Sequence, residues 1–305
     1  MSQTFTPIAV RTPPDPDIFR VPVGPGAMHV ERYGYGGEPI VLVHGFGTSS
    51  FLWRSVAPML AVRGMTAYAV DLFGYGESDR PFDADFGFEA QAAYLDAAMT
   101  ALQLSRANIA GIDIGAVVAL RLSLDRPERV ERLALIGMPP LDELPGPEIR
   151  ELQRDTARYA LRLSRGLFGV SALLTPYLEG SVATTTSMPP ALIGRYLAPF
   201  LGREGANHLL ALAGAMDAAE MEDADPKDVR QATMIVRGAT DAWCRREWAE
   251  DFAARLPSGR FEQLEGMGRL LPEEGSAELA ALLSSLVRPT ASERAGRGTF
   301  PIDSA

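Results

Sequence analysis

Short apolar runs alternate with longer segments whose apolar residues recur three and four positions apart. The runs predict buried strands at Arg20–Val23, Met28–Tyr33, Pro39–Val43, Thr66–Val70, Ala107–Ile112, Val130–Ile136, Thr233–Arg237 and Arg260–Leu264. The longer segments predict helices at Phe51–Val62, Phe88–Leu104, Ala116–Leu124, Glu247–Leu256 and Ser276–Val287. Because parallel strands need a crossover between them, this alternation predicts an α/β fold with a mostly parallel, eight-stranded sheet covered by helices.

The alternation is interrupted near Met138-Pro139-Pro140 and resumes at Thr233. Residues 141–230 have a mostly helical pattern without a clear strand, which predicts an inserted helical cap over the carboxyl edge of the sheet. Ligands bind at that edge in open α/β sheets. We therefore expect a core from residues 1–140 and 231–288, a cap from residues 141–230, and a loose tail from residues 289–305.

Charge and composition narrow the class of partner. Twenty-nine Lys and Arg residues against 39 Asp and Glu residues give a net charge of −10, which disfavours nucleic acid and membrane surfaces as partners. A single cysteine, Cys244, rules out an intrachain disulfide, and no apolar stretch approaches the roughly 20 residues of a membrane span. We expect a cytoplasmic enzyme without cofactor or metal that acts on a small hydrophobic organic substrate, and a homodimer stays an open alternative.

The segment Gly111-Ile112-Asp113-Ile114-Gly115 lies between a predicted strand and a predicted helix. A nucleophile on the tight turn of such an elbow needs a small residue on each side, because the chain passes close to itself there. Asp113 therefore occupies the position of a nucleophile. The alternative is that Asp113 only caps the helix that follows.

Three further segments complete a pattern along the chain. The loop His44-Gly45-Phe46-Gly47 follows an early strand, Asp241 lies in a Gly-Ala-Thr-Asp loop after a late strand, and Arg269 follows Gly266-Met267-Gly268. Asp241 has the alternative role of a turn or helix-capping residue. For the His44 side chain we favour a structural hydrogen bond.

These segments resemble the α/β-hydrolase family and occur in its order: HGFGTSSFLWR, DLFGYGESDRP, GIDIG, GATDAW and LEGMGRLLPEE. An Asp at the elbow resembles the branch that contains epoxide hydrolases and haloalkane dehalogenases. In that branch the carboxylate attacks carbon, and a histidine-activated water hydrolyses the ester that results. The resemblance implies an oxyanion hole from the backbone N–H groups of Phe46 and Ile114.

The same resemblance places Arg269 where the family has its catalytic histidine, and assigns Asp241 to orient that histidine. Arginine keeps its proton at physiological pH and cannot act as a general base. It can bridge Asp113 and Asp241 electrostatically, or form a salt bridge that rigidifies a site no longer used. Of the other histidines, His29 is expected to lie far from the site, and His208 to lie in the cap.

The resemblance also suggests residues that would line a substrate cavity. The dehalogenase branch binds halide with a Trp directly after the nucleophile, where this chain has Ile114, so epoxide hydrolase is the better match. That match calls for cap tyrosines, and Tyr196 is the first to test. The full set of expected substrate contacts is His44, Trp53, Met138, Tyr159, Tyr177, Tyr196 and Trp243.

Without a histidine, the working hypothesis is non-hydrolytic chemistry such as cyclisation, isomerisation or elimination, with Asp113 as acid and base and Arg269 as a charge clamp. Three alternatives stay open: residual hydrolysis, a ligand-binding pseudoenzyme, and an introduced Arg269 that traps an intermediate.

Overall fold

One eight-stranded sheet forms the centre of the molecule. The computed structural model describes residues 15–154, 156 and 170–287. Its strands are β1 (Asp17–Pro22), β2 (Ala27–Tyr33), β3 (Glu38–Val43), β4 (Met65–Val70), β5 (Ala107–Ile112), β6 (Val130–Ile136), β7 (Ala232–Gly238) and β8 (Gly259–Leu264). The strand order is β1-β2-β4-β3-β5-β6-β7-β8, with β2 antiparallel to both of its neighbours and all other pairs parallel. The predicted fold class is confirmed.

Helices cover the sheet on both faces. The described helices are α1 (Val56–Val62), α2 (Phe88–Ala101), α3 (Ile114–Asp125), α4 (Pro147–Gln153), α5 (Ser171–Gly180), α6 (Pro190–Leu197), α7 (Gly202–Gly214), α8 (Arg246–Arg255), α9 (Leu271–Glu274) and α10 (Ser276–Val287). Helix α1 packs against α10, α2 packs against α3, and α8 packs on β7 and β8. Every residue of β4 and β5 is buried, as expected for parallel strands covered on both faces.

One predicted helix is divided in the structure. The prediction ran from Phe51 to Val62, but a 3-10 turn at Ser50–Trp53 precedes α1, which begins at Val56. Pro58 explains the break, because a proline has no N–H to donate and fits an α-helix only in its first turn. A continuous helix would have placed Pro58 in its interior.

Between β6 and β7 the chain forms what we call the helical insertion, residues 141–230. Its described part contains α4 to α7 and several 3-10 turns, without a strand. The insertion lies against the loops at the carboxyl ends of the strands. Arg80 in the loop after β4 donates to the carbonyl of Pro199 (2.6 Å), and Ala183 N donates to Glu274 after β8 (2.8 Å). The described part of the insertion therefore contacts the loops that follow β4 and β8.

The turn between β5 and α3 has the geometry of a nucleophile elbow. Asp113 has φ of 56° and ψ of −125°, a strained conformation for a residue with a side chain. A Cβ on Gly111 would lie 2.1 Å from the carbonyl oxygen of Gly115, and one on Gly115 would lie 2.2 Å from that of His44. The backbone itself therefore excludes any side chain at both glycines, which explains the Gly-x-Asp-x-Gly pattern.

This crowding predicts opposite effects for two glycine-to-alanine substitutions. Gly115→Ala is expected to reduce the free energy of unfolding by at least about 2 kcal/mol, because backbone rather than a flexible side chain must move. Gly194→Ala, in the exposed part of α6 with open space around it, should raise that free energy by up to about 1 kcal/mol. Urea unfolding of the two variants and the parent protein measures both changes. Equal stability of the two variants would contradict the assignment of Gly115 as a contact point.

Candidate active site

The loops after β5, β7 and β8 bring three charged side chains together. Asp113 follows β5, Asp241 follows β7 and Arg269 follows β8, and their exposed fractions are 1%, 5% and 4%. Arg269 lies between the two acids: its Nη1 is 3.7 Å from Asp113 Oδ1, and its Nε is 3.7 Å from Asp241 Oδ1. One buried cation therefore faces two buried carboxylates.

The two oxygens of the Asp113 carboxylate have different surroundings. Oδ2 accepts hydrogen bonds from Phe46 N (2.9 Å) and from the Tyr177 hydroxyl (2.7 Å). Oδ1 is buried, faces Arg269, and has no hydrogen-bond partner among the described residues. The backbone donor of Phe46, expected in an oxyanion hole, thus holds the carboxylate itself through Oδ2, while Oδ1 faces Arg269. Ile114, the other expected donor, is the first residue of α3.

Aromatic rings and the backbone fix the position of Arg269. Its guanidinium carbon lies 3.6 Å from the centre of the Trp243 ring and 5.4 Å from that of Tyr177. Its loop is attached to the helical insertion, because Leu270 N donates to Ser181 O (2.9 Å). Burial lowers the pKa of Arg269, but Tyr177, Asp113 and Asp241 outweigh it and raise that pKa above the ordinary value. Arg269 is therefore charged throughout the physiological pH range.

Backbone N–H groups of its own loop hold the Asp241 carboxylate. Its Oδ1 accepts from Trp243 N (2.9 Å) and Cys244 N (3.3 Å). The buried Arg237 fixes the same loop by donating to the carbonyls of Asp241 (3.0 Å) and Cys244 (2.7 Å). Burial raises the pKa of Asp241, although the Arg269 guanidinium and the two backbone N–H groups oppose that shift.

Several buried polar atoms at this site lack hydrogen bonds within the described part of the chain. They are Asp113 Oδ1, Asp241 Oδ2, and Nε and Nη1 of Arg269. Each such atom costs about 1–3 kcal/mol when neither protein nor water satisfies it. A salt bridge selected only for rigidity would bring these groups to hydrogen-bonding distance, near 2.8 Å. At 3.7 Å, Arg269 interacts with both carboxylates through charge rather than through hydrogen bonds of ordinary length.

None of the three histidines of the chain contacts Asp113 through a hydrogen bond. His44 Nδ1 pairs with Gly45 O (2.8 Å), and its Nε2 accepts from Leu72 N (3.0 Å), so both ring nitrogens are engaged. Burial lowers the pKa of His44, which keeps the ring neutral in this structural role. His29 pairs with Glu31 on β2, and His208 on α7 contacts the carbonyl of Gly74.

The expected tyrosines have different positions. Tyr177, on α5, donates to Asp113 and joins the site. Tyr196, on α6, donates instead to Glu273, which also accepts from Arg54 (2.7 Å). The Tyr196 hydroxyl thus binds a buried carboxylate in this structure, and its contact with a substrate stays a prediction. Tyr159 lies outside the described residues.

Of the remaining candidates, Trp243 contacts Arg269 directly, whereas two others form no hydrogen bond or ion pair with the three charged residues. Trp53 lies fully buried in the 3-10 turn before α1, and Met138 lies fully buried after β6.

Tyr75, in the loop after β4, was not among the residues that the sequence predicted for the site. Its ring lies edge-on to those of His44 (5.1 Å between centres) and Phe46 (6.4 Å). Its buried hydroxyl has no hydrogen-bond partner among the residues that the structure describes. A tyrosine in the Gly-Tyr-Gly turn was the only sequence signal, and a ring there normally indicates packing alone.

A family model described as the alpha/beta hydrolase fold matches residues 38–275. These residues include all the strands from β3 to β8 and the loops that carry Asp113, Asp241 and Arg269. The chain belongs to this family.

Proteins of similar sequence and structure agree with this assignment. A haloalkane dehalogenase of Mycobacterium marinum is 30% identical over 72% of this chain and 67% of its own length. One of Mesorhizobium japonicum is 27% identical over 88% of this chain and 91% of its own length. Among solved structures, Cfl2 of Burkholderia cenocepacia has a TM-score of 0.77 and 24% identity, over 90% of this chain and 95% of its own. The epoxide hydrolase CorEH has a TM-score of 0.76 and 21% identity, over 89% of this chain and 98% of its own. The chain is thus an α/β-hydrolase-fold enzyme related to haloalkane dehalogenases.

The described residues contain neither a cluster of metal ligands nor a helix that could span a membrane. No group of His, Cys, Asp and Glu side chains there could hold a metal ion. In the same residues, the helices are too short or too polar to cross a lipid bilayer.

The charge balance of the site predicts a pH-dependent loss of stability when Arg269 is removed. Arg269→Leu leaves two buried carboxylates without a cation and should reduce the free energy of unfolding at pH 7 by about 3–5 kcal/mol. Without the cation that opposes it, burial raises the folded-state pKa of Asp241 further above its unfolded value of about 4. Stability is then retained at low pH and lost as the pH rises through that raised pKa.

Urea unfolding at pH 5 and pH 8 measures this effect. Asp113→Asn and Asp241→Asn added to Arg269→Leu should recover most of the loss, because no buried charge remains. Arg246→Leu, at an exposed pair with Glu250, is the matched control and should change stability by less than about 1 kcal/mol. A pH-independent loss in Arg269→Leu would mean that Arg269 contributes packing rather than charge.

Proposed function

We propose that this enzyme uses Asp113 as a fixed acid and base, and Arg269 as a charge clamp, in a non-hydrolytic conversion of a hydrophobic metabolite. Isomerisation, cyclisation and elimination are the reactions of this kind. The observation that carries the proposal is the facing pair of buried, unpaired groups, Asp113 Oδ1 and Arg269 Nη1, 3.7 Å apart.

Hydrolysis through an Asp113 ester is the less suitable use of this geometry. Release of such an ester needs a base to activate water, and Arg269 stays protonated. All three histidines lie in other contacts, so none replaces the missing base. General-base assistance contributes about 10²–10⁴-fold to rate, and this chain would forgo it.

Proton transfer needs only an ionised Asp113 and a protonated Arg269. Asp113 Oδ1 takes a proton from a substrate carbon beside a carbonyl group. The C–H electron pair forms a C=C bond, and the π electrons of the carbonyl group move onto its oxygen. Arg269 stabilises the negative charge that develops there, in a buried site where fixed charges act strongly. Return of the proton from Asp113 to a different atom completes an isomerisation, and loss of a leaving group completes an elimination.

Residual hydrolysis is a second candidate that one observation favours. Phe46 N and the Tyr177 hydroxyl both hold Oδ2 and leave Oδ1 free, as an attacking carboxylate requires. The haloalkane dehalogenases among its relatives suggest attack at a halogen-bearing carbon, and the neighbouring epoxide hydrolase suggests an epoxide. A purely structural role for Asp113, Asp241 and Arg269 is less suitable, because four of their buried polar atoms have no hydrogen bond within the described residues.

Hydrogen exchange in D₂O distinguishes proton transfer from hydrolysis. The purified enzyme is incubated with hydrophobic ketones such as 4-phenylbutan-2-one and 2-tetralone, and deuterium at the carbon beside the carbonyl is followed by NMR. We expect catalysed exchange that falls by at least about 10²-fold in Asp113→Asn, because the amide cannot take the proton. Tyr68→Phe, on β4, is the control and should leave the rate unchanged. Exchange equal to the uncatalysed rate would contradict the proposal.

Intact-protein mass spectrometry tests the hydrolytic candidate. The parent protein, Asp113→Asn and Arg269→His are each incubated with epoxides and haloalkanes. We expect no stable mass increase in the parent protein and no hydrolysis in Arg269→His. An adduct that disappears in Asp113→Asn, together with hydrolysis gained in Arg269→His, would establish an aspartyl-ester enzyme stalled before ester release.

A further inference from the structure

Tyr75 is a buried polar side chain that the chemistry above leaves unused. It lies in the loop after β4, which is fixed because the Asp71 carboxylate accepts from the backbone N–H groups of Ser50 and Glu77. The exposed fraction of Tyr75 is 1%, and its hydroxyl has no hydrogen-bond partner in the described part of the structure. A buried hydroxyl without a partner is unfavourable, so this position suits an acceptor atom supplied by a ligand.

The Tyr75 hydroxyl belongs to the surroundings of Asp113. Burial and the Asp113 carboxylate together raise the pKa of Tyr75 well above its ordinary value. The ring also packs edge-on against Phe46, whose N–H holds Asp113 Oδ2. Tyr75 therefore keeps its proton at neutral pH and presents a neutral donor to a substrate near Asp113.

The strands that precede Tyr75 and Arg269 lie on opposite sides of β5, the strand before Asp113. Strand β4, before Tyr75, is two positions from β5 on one side, and β7 and β8, before Asp241 and Arg269, lie on the other side. The loops that carry the two donors therefore leave the sheet on different sides of β5. A substrate in front of Asp113 Oδ1 can offer one oxygen to each donor.

We infer that the substrate is a hydrophobic 1,3-dicarbonyl compound whose two oxygens bind Arg269 and Tyr75, with the carbon between them facing Asp113. This inference rests on the proposed function and names its substrate class. The hydrogen between two carbonyl groups is far more acidic than one beside a single carbonyl, because both oxygens share the charge of the enolate. A carboxylate is a weak base, and such a substrate matches its strength.

The step is balanced with the groups present. Asp113 Oδ1 gains the proton of the central carbon, the C–H electrons form a C=C bond, and one carbonyl becomes an enolate oxygen beside Arg269. Tyr75 donates a hydrogen bond to the second carbonyl, which shares the charge. The protonated Asp113 then returns the proton to the substrate at carbon or oxygen.

A double-mutant cycle between protein and ligand tests the inference. The probes are 1-phenylbutane-1,3-dione and 4-phenylbutan-2-one, which differ by one carbonyl oxygen, and calorimetric titration gives the Kd of each. We expect the parent protein to bind the diketone at least roughly tenfold more tightly, and Tyr75→Phe to remove that preference. Binding of the monoketone to Tyr75→Phe should stay within about twofold of the parent protein. Tyr68→Phe, which removes the hydroxyl of a buried tyrosine on β4, is the control and should leave both affinities unchanged.

The outcomes separate this inference from the function on which it rests. Equal affinity for the two probes, or equal weakening of both in Tyr75→Phe, overturns the two-oxygen substrate, while Asp113-dependent exchange of the monoketone still supports proton transfer. A Tyr75-dependent preference for the diketone without any Asp113-dependent exchange supports the substrate class and overturns the reaction. No binding of the diketone to the parent protein overturns the inference as well.

Discussion

The electrostatic balance among Asp113, Arg269 and Asp241 is the constraint that the rest of the site accommodates. Two carboxylates and one guanidinium are buried together, and each would be unfavourable there alone. The surplus negative charge is shared with neutral donors: the Tyr177 hydroxyl and Phe46 N on Asp113, and Trp243 N on Asp241. The two carboxylates are thus stabilised by groups from four different loops and helices. Removal of the site's single cation changes the environment of all of them.

The topology of the sheet brings these groups together. Parallel strands end at one edge of the sheet, so the loops after β3, β5, β7 and β8 meet there, although their residues are far apart in the sequence. The helical insertion adds Tyr177 from above, and Glu274 fixes it to the loop of Arg269 through Ala183 N (2.8 Å) and Gly268 N (2.6 Å). The same carboxylate therefore joins the loop of Arg269 to the helical insertion.

The sequence was sufficient where a local pattern determines the structure. Alternating apolar runs predicted every strand to within a few residues, and the Gly-x-Asp-x-Gly pattern predicted the elbow, because backbone contacts allow only glycine there. The choice between Tyr177 and Tyr196 could not be made in this way. It depends on how the helices of the insertion pack onto the sheet, and on Glu273, which binds Tyr196 across 77 positions of the chain. The unpaired hydroxyl of Tyr75 is invisible in sequence for the same reason.

The stacking of Arg269 on Trp243 provides the molecule with an optical reporter. The chain has three tryptophans, and Trp243 is the one whose ring lies 3.6 Å from the guanidinium carbon of Arg269. Trp53 is enclosed in the core, and Trp248 packs against Phe252 on α8. Indole fluorescence depends on the charges beside the ring. A molecule that enters the site and shifts the guanidinium therefore changes the emission of Trp243 without any attached label, and the site can be titrated in its native state.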